Sequence, residues 1–145
     1  MKIGISSDHG GFELKEHVKN YLESEGIECL DYGTYSLDSV DYPDYGEKLA
    51  NGVINGEVDR GIAICGTGIG ISIACNKVKG IRCALLNDTF SARMSREHND
   101  ANIIALGARV IGKDLATEMV STWLNAEFIG DRHQRRIDKI SNMEK

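Results

Sequence analysis

The chain is 145 residues long, with 41% apolar and 27% charged residues and a formal net charge of −5. That length accommodates one domain with a sizeable core, and the composition excludes a disordered or fibrous chain. The acidic balance speaks against nucleic acid or an anionic membrane as the partner.

From the first residues on, short apolar runs alternate with stretches of helical periodicity. A strand is expected over 2–6, with no charged leader or long apolar segment ahead of it, which points to a cytoplasmic protein without signal peptide or membrane span. A helix follows over 11–24, where Phe12, Leu14, Val18, Tyr21 and Leu22 share one face and Gly26 supplies the stop. Next come a strand at 28–32, a long loop at 33–43 holding the single proline, Pro43, and a helix at 44–55. The run Gly61-Ile62-Ala63-Ile64 has no polar alternation, as in a strand covered on both faces, so 60–64 is a buried strand and 70–77 the helix after it. Strands at 81–86 and 103–106 and helices at 89–98 and 113–125 continue the alternation, and a last helix spans 132–143. The pattern predicts a single domain over residues 1–145: a three-layer α/β/α sandwich with a Rossmann-like, five-stranded parallel sheet and a C-terminal helix.

In such a fold, ligands bind beyond the carboxyl ends of the strands. The residues there are Asp8-His9, the Tyr42-Pro43 loop, Cys65-Gly66-Thr67-Gly68-Ile69-Gly70, Asn87-Asp88 and Gly107-Ala108-Arg109. Within "AICGTGIGIS", three glycines let the backbone turn tightly and aim successive N–H groups inward at a helix start. The turn is not a P-loop, because Ile71 stands where Gly-Lys would begin, and Ile71 also occupies the place of the arginine that a tyrosine-phosphatase loop needs. It is one residue short of G-x-G-x-x-G; Asp88, further along, keeps open a noncatalytic nucleotide-binding module. Cys65 adjoins the N–H groups of the turn, a setting that favours the thiolate and suits a nucleophile or general base.

Asp8 reads as an N-cap beside His9, and His98-Asn99 ends a helix where the histidine meets the dipole. Arg132 and Arg136 stand one helical turn apart, either an anion clamp or a solvated basic face. Cys29, Cys65, Cys75 and Cys83 form no C-x-x-C pair, and His9, His17, His98 and His133 lack zinc-site spacing, so neither a disulfide framework nor a metal or other cofactor is expected. Together these features describe a site for a phosphorylated small molecule, served by a proton-transferring thiol and one or two histidines.

The segments "SDHGG", "DYPDY", "CGTGIGISIACNKVKGIR", "REHNDANIIALGARVIG" and "DRHQRRID" resemble the type B ribose-5-phosphate isomerases of the ribose/galactose-6-phosphate isomerase family, over nearly the whole chain. The resemblance implies metal-independent interconversion of D-ribose 5-phosphate and D-ribulose 5-phosphate through a cis-enediolate. It implies Cys65 as the base, His98 in ring opening with Asp8 nearby, and Thr67 in moving hydroxyl protons. The N–H groups of Gly66, Thr67, Gly68, Ile69 and Gly70 would hold the enediolate oxygen. His9, Arg109, Arg132 and Arg136 would grip the phosphate, with Tyr42 and Asn99 lining the site. One branch of these isomerases uses a glutamate base where this chain has Ile71, and the galactose-6-phosphate enzymes divide the key residues between two different subunits. Cys65, His98, Arg132 and Arg136 in one chain favour a ribose-type homo-oligomer, a homodimer with shared active sites or a tetramer. Allose 6-phosphate or galactose 6-phosphate is the alternative substrate.

Overall fold

The structure is a computed structural model and describes residues 1–144. Five strands form one sheet: β1 (Lys2–Ser7), β2 (Glu28–Asp31), β3 (Arg60–Cys65), β4 (Cys83–Leu85) and β5 (Ile103–Gly107). They lie in the order β2-β1-β3-β5-β4, and every neighbouring pair is parallel. The helices are α1 (Phe12–Ser24), α2 (Tyr42–Ile54), α3 (Ile69–Asn76), α4 (Thr89–Glu97), α5 (Lys113–Asn125) and α6 (Arg132–Ser141), with a 3-10 turn at His9–Gly11 ahead of α1.

Alternate residues of β3 divide the core between the two faces of the sheet. Ile62 and Ile64 join Ile3, Ile5, Leu14, Val18, Leu106, Met119 and Trp123 under α1, α4 and α5. Ala63 and Cys65 point the other way, into a second cluster with Leu49, Ile71, Cys75 and Ala105 under α2 and α3. Glycines floor that second face. A Cβ on Gly4 would lie 2.8 Å from Leu49 Cδ1, and one on Gly61 2.9 Å from the same atom, so α2 rests directly on the backbone of β1 and β3. The chain leaves β1 toward β2 and returns on the opposite side as β3, which opens a crevice at the carboxyl ends of these two strands.

Most expected boundaries hold to within a residue; α6 ends at Ser141 rather than 143, and two other shifts have a local cause. The 33–43 loop is shorter than its sequence suggests, because Pro43 lies in the first turn of α2 rather than before it. Proline suits that position: its fixed φ matches the helix and its missing N–H would have no helical partner. Tyr42 is therefore the first helical residue. The edge strand β4 is shorter than 81–86, because the Arg82 N–H donates to the Asn102 side chain (2.8 Å) instead of extending the ladder. Among the described residues, no helix is long and apolar enough to cross a membrane.

Candidate active site

Around the crevice, β1, β3 and β5 end together. The Asp8 N–H donates to Ile64 O (3.2 Å), which ties the end of β1 to β3. The buried Asp8 carboxylate accepts the Gly11 N–H (3.1 Å) and so caps the 3-10 turn. Beyond β5, the N–H groups of Ala108 and Arg109 donate to the carbonyls of Cys65 and Gly66, each at 2.9 Å, zipping the last loop onto the glycine turn. A Cβ on Gly107 would lie 2.6 Å from Thr67 O, so this close approach requires glycine.

Cys65 closes β3 with its side chain buried, and the Gly68 N–H donates to Sγ at 3.2 Å. Gly68 has φ +79°, and a Cβ there would meet the Leu106 carbonyl carbon at 2.9 Å. Left-handed backbone and a tight wall together demand glycine. The Ile69 N–H turns to Thr67 Oγ1 (3.2 Å), which leaves the N–H groups of Gly66, Thr67 and Gly70 without a partner within the described residues. Thus two of the five N–H groups expected to hold an oxyanion are engaged by the turn itself. A substituent on Gly10 would lie 3.4 Å from Asp8 Oδ1, 3.6 Å from Gly66 N and 3.7 Å from an Arg109 guanidinium nitrogen. Carboxylate, N–H and cation therefore converge on one small space. The Tyr42 ring lies against the glycine turn, 2.6 Å from where a Cβ on Gly70 would be.

Two thiols outside the crevice are held in the protonated form. Burial, reinforced by Asp31, pushes Cys29 up to about 11. Contact with Cys75, together with burial, pushes Cys83 well above the ordinary thiol range. Asp88, the carboxylate a nucleotide reading would need, is consumed as the N-cap of α4, where it accepts the Ser91 N–H (2.7 Å) and hydroxyl (2.9 Å).

The remaining predicted residues stand elsewhere. His98 is the C-cap of α4, which runs from the carboxyl end of β4 back to the amino end of β5. Asn99 O accepts from Arg82 Nε (2.9 Å), and Asn102, just beyond, accepts the N–H of Gly61 at the start of β3. Six residues of strand thus separate this end from Cys65, roughly 16 Å at about 3.3 Å per residue. Arg132 and Arg136 belong to the same pole, exposed on α6, while His133 and Ile137 of that helix face inward. The structure therefore gathers Asp8, His9, Tyr42, Cys65, the glycine turn and Arg109 at one end. His98, Asn99, Arg132 and Arg136 collect at the other.

Sequence reading passed over His133. Its ring is buried and stacks on His98, with centroids 4.2 Å apart and planes 12° from parallel, and its Nε2 has no partner. Desolvation lowers its proton affinity, and His98, Arg132 and Arg136 add to the effect against an opposing contribution from Asp131. The four-residue spacing of His133 and Ile137 was the available signal, eclipsed by the charges around it. Among the described residues, no group of three or more His, Cys, Asp or Glu side chains is arranged to hold a metal ion.

The chain as a whole is similar to known proteins. A solved structure of Clostridium thermocellum ribose-5-phosphate isomerase B has 60% identity and a TM-score of 0.99, covering 99% of this chain and 97% of that one. The Thermotoga maritima ribose 5-phosphate isomerase structure has 54% identity and a TM-score of 0.96, covering 97% of both chains. Escherichia coli ribose-5-phosphate isomerase B is 48% identical over 143 residues, 99% of this chain and 96% of that protein. Residues 3–140 match the Ribose/Galactose Isomerase family. With sequence and backbone agreeing over nearly its full length, this chain belongs to the ribose/galactose isomerase family and is an isomerase.

Proposed function

We propose that this isomerase interconverts D-ribose 5-phosphate and D-ribulose 5-phosphate by proton transfer, at a site that two copies of the chain build together. The observation that carries the reading is the Cys65 sulfur, held 3.2 Å from the Gly68 N–H beside three unpartnered N–H groups. In the aldose-to-ketose direction, the thiolate takes the proton from C2. The C–H electron pair becomes the C1–C2 double bond, and the carbonyl electrons move onto O1. The N–H groups of Gly66, Thr67 and Gly70 stabilise this oxyanion more than the neutral carbonyl, which lowers the barrier. Thr67 Oγ1 accepts from Ile69, so its O–H remains free to relay a proton from O2 to O1. The Cys65 thiol then returns its proton to C1.

Ring opening needs a proton removed from the anomeric hydroxyl and one delivered to the ring oxygen. Asp8 and the partner's His98 serve these transfers. The phosphate sits at the basic rim, on His9 and Arg109 of one protomer with the partner's Arg132 and the partner's Arg136, and this grip holds C2 beside the sulfur. Tyr42 and the partner's Asn99 line the sugar. Two points support the composite site. The catalytic groups lie at opposite ends of one chain's sheet, and a two-fold dimer brings unlike ends together twice. Ile69, Ile73 and Leu85 also expose an apolar surface around the glycine turn, as a protein–protein contact requires.

Isomerisation of ribose 5-phosphate in D2O, with a chelator present, tests the chemistry. In turnovers where the thiol exchanges its proton with solvent before returning it, a proton-transfer route places solvent deuterium at C1 of the ribulose 5-phosphate formed, which hydride transfer cannot do. Deuterium incorporation that continues at the wild-type rate in Cys65→Ala refutes the thiolate mechanism.

A further inference from the structure

Lys15 lies on α1 with its side chain fully buried, an unusual place for an ammonium group. Its Nζ is 2.6 Å from Asp31 Oδ2 and 3.1 Å from Glu16 Oε1, and it rests 5.3 Å from the centroid of the Phe12 ring and 5.5 Å from that of Tyr35. Asp31 ends β2 and is itself largely buried. Its other oxygen, Oδ1, accepts the Gly33 N–H (2.8 Å), and its backbone carbonyl accepts the Tyr35 hydroxyl (3.0 Å). A buried ion pair returns little net stability compared with apolar side chains of the same size. What it provides is direction, and here it points at the start of the loop between β2 and α2.

That loop is laced to β1 at its start and to the 3-10 turn after β1 at its end. At its start, Gly33 O accepts the Ser7 N–H (2.7 Å) and the Thr34 N–H donates to Ser7 O (2.8 Å). At its far end the Val40 N–H donates to His9 Nδ1 (3.1 Å). In between, residues 35–39 are all exposed, so little but the Asp31 cluster fixes the path of the chain. A backbone N–H can only donate. Nδ1 is therefore the acceptor, and the ring proton sits on Nε2. His9 and Arg109 line one cavity of about 500 Å³ with Lys113.

We propose that the buried Lys15–Asp31 pair is a positioning device for His9: it fixes the 32–41 loop so that the Val40 N–H holds Nδ1, and His9 presents Nε2–H to an anionic oxygen. The inference rests on the reading of His9 as a phosphate ligand. It makes Lys15, Asp31 and Val40 positioning residues that touch no substrate.

Three variants test it on the whole enzyme: Lys15→Met/Asp31→Asn, which removes both buried charges and leaves Lys19, the second ammonium on Asp31 Oδ2 (3.3 Å), partly exposed to water; Val40→Pro, which removes the N–H within the loop and leaves the Lys15–Asp31 pair in place; and His9→Ala. The first two should raise KM for ribose 5-phosphate, and the inhibition constant of inorganic phosphate, by about tenfold, the worth of one well-aimed bond to a charged oxygen. Their kcat should stay within about twofold, because the chemistry at Cys65 is untouched. Placed on His9→Ala, the same substitutions should have almost no further effect. Long-range 1H–15N spectra should show His9 protonated on Nε2 in the wild type and as mixed tautomers in both positioning variants. Full multiplicative losses in the His9→Ala background overturn the proposal, as does an unchanged Nε2–H tautomer in both variants. If the charge-pair variant fails to fold, Val40→Pro carries the test by the same measurements. A wild-type KM in His9→Ala alone refutes the phosphate role of His9, while the tautomer spectra still decide the positioning.

Discussion

A site shared between two chains predicts that two dead enzymes can repair each other. Cys65→Ala and His98→Ala homodimers should each be severely impaired, since each carries its lesion in both sites. Distance within one chain motivates the test: Cys65 closes β3, and His98 lies beyond the opposite end of that six-residue strand. No side chain spans roughly 16 Å. When the two variants are denatured together and refolded, random pairing makes about half of the dimers heterodimers. In each heterodimer one site collects both lesions and the other collects neither. Recovered activity should approach about a quarter of wild type, half of the sites in half of the dimers. The assay is ribulose 5-phosphate formation by the mixture, with heterodimers counted by capture of differently tagged chains. Heterodimers present at the expected level with no recovered turnover would refute the composite site, because every site would then keep a lesion.

Cys65→Ala should lower kcat by roughly a hundred- to ten-thousand-fold with little change in KM, as loss of a general base does; near-normal turnover would assign the proton transfer to another group. Arg132→Ala and Arg136→Ala should each raise KM for the sugar phosphate by about 1.5–3 kcal/mol in binding, with kcat largely kept; equal inhibition of wild type and variants by inorganic phosphate would remove both from the grip. Gly70→Ala should crowd the exposed Tyr42 ring, which can swing away, so the fold survives and KM rises. Gly68→Ala has no such escape, with φ +79° and the Leu106 backbone in the way, and should lose both thermal stability and activity; equal melting temperatures for the two variants would contradict this. His133 has its proton affinity depressed in the fold, chiefly by desolvation, so below the ordinary histidine value of about 6.5 the unfolded chain takes a proton that the folded chain resists. Stability should therefore fall as pH drops through that value, and His133→Phe, which keeps a flat ring, should flatten the fall in urea midpoints between about pH 7 and 5. An identical slope in both proteins would show that another group drives the loss.

Most of the layer structure was legible because the physics that sets it is local. Four of the strands end at turn chemistry visible in the sequence, and the continuous apolar run of β3 marks a strand covered on both faces. The errors fall where a side chain overrides the pattern. Asn102 takes the Arg82 N–H and shortens β4, and Pro43 starts a helix instead of delaying one. Strand order was not legible at all. The position of β5 between β3 and β4 follows from packing of α4 and α5 against the same face, a long-range fact with no local signature.

The site was legible as chemistry and illegible as geometry, for one physical reason. Residue types announce what they can do: a thiol against a glycine turn, two arginines one helical turn apart. Which of them meet depends on the path of the chain. A right-handed strand–helix–strand unit sends each strand end and the following helix end to opposite poles of the sheet. Any motif at a strand's carboxyl end is thus far from any motif at a helix's carboxyl end in the same chain. Asp8, Cys65 and Arg109 are of the first kind, and His98 is of the second. On the proposed composite site, a small α/β chain that divides its chemistry in this way keeps half of it idle until a second copy supplies the other pole. The buried pair Lys15–Asp31 shows the complementary limit. Its partners lie sixteen residues apart and its effect is exerted through a backbone N–H, for which no residue type stands as a sign.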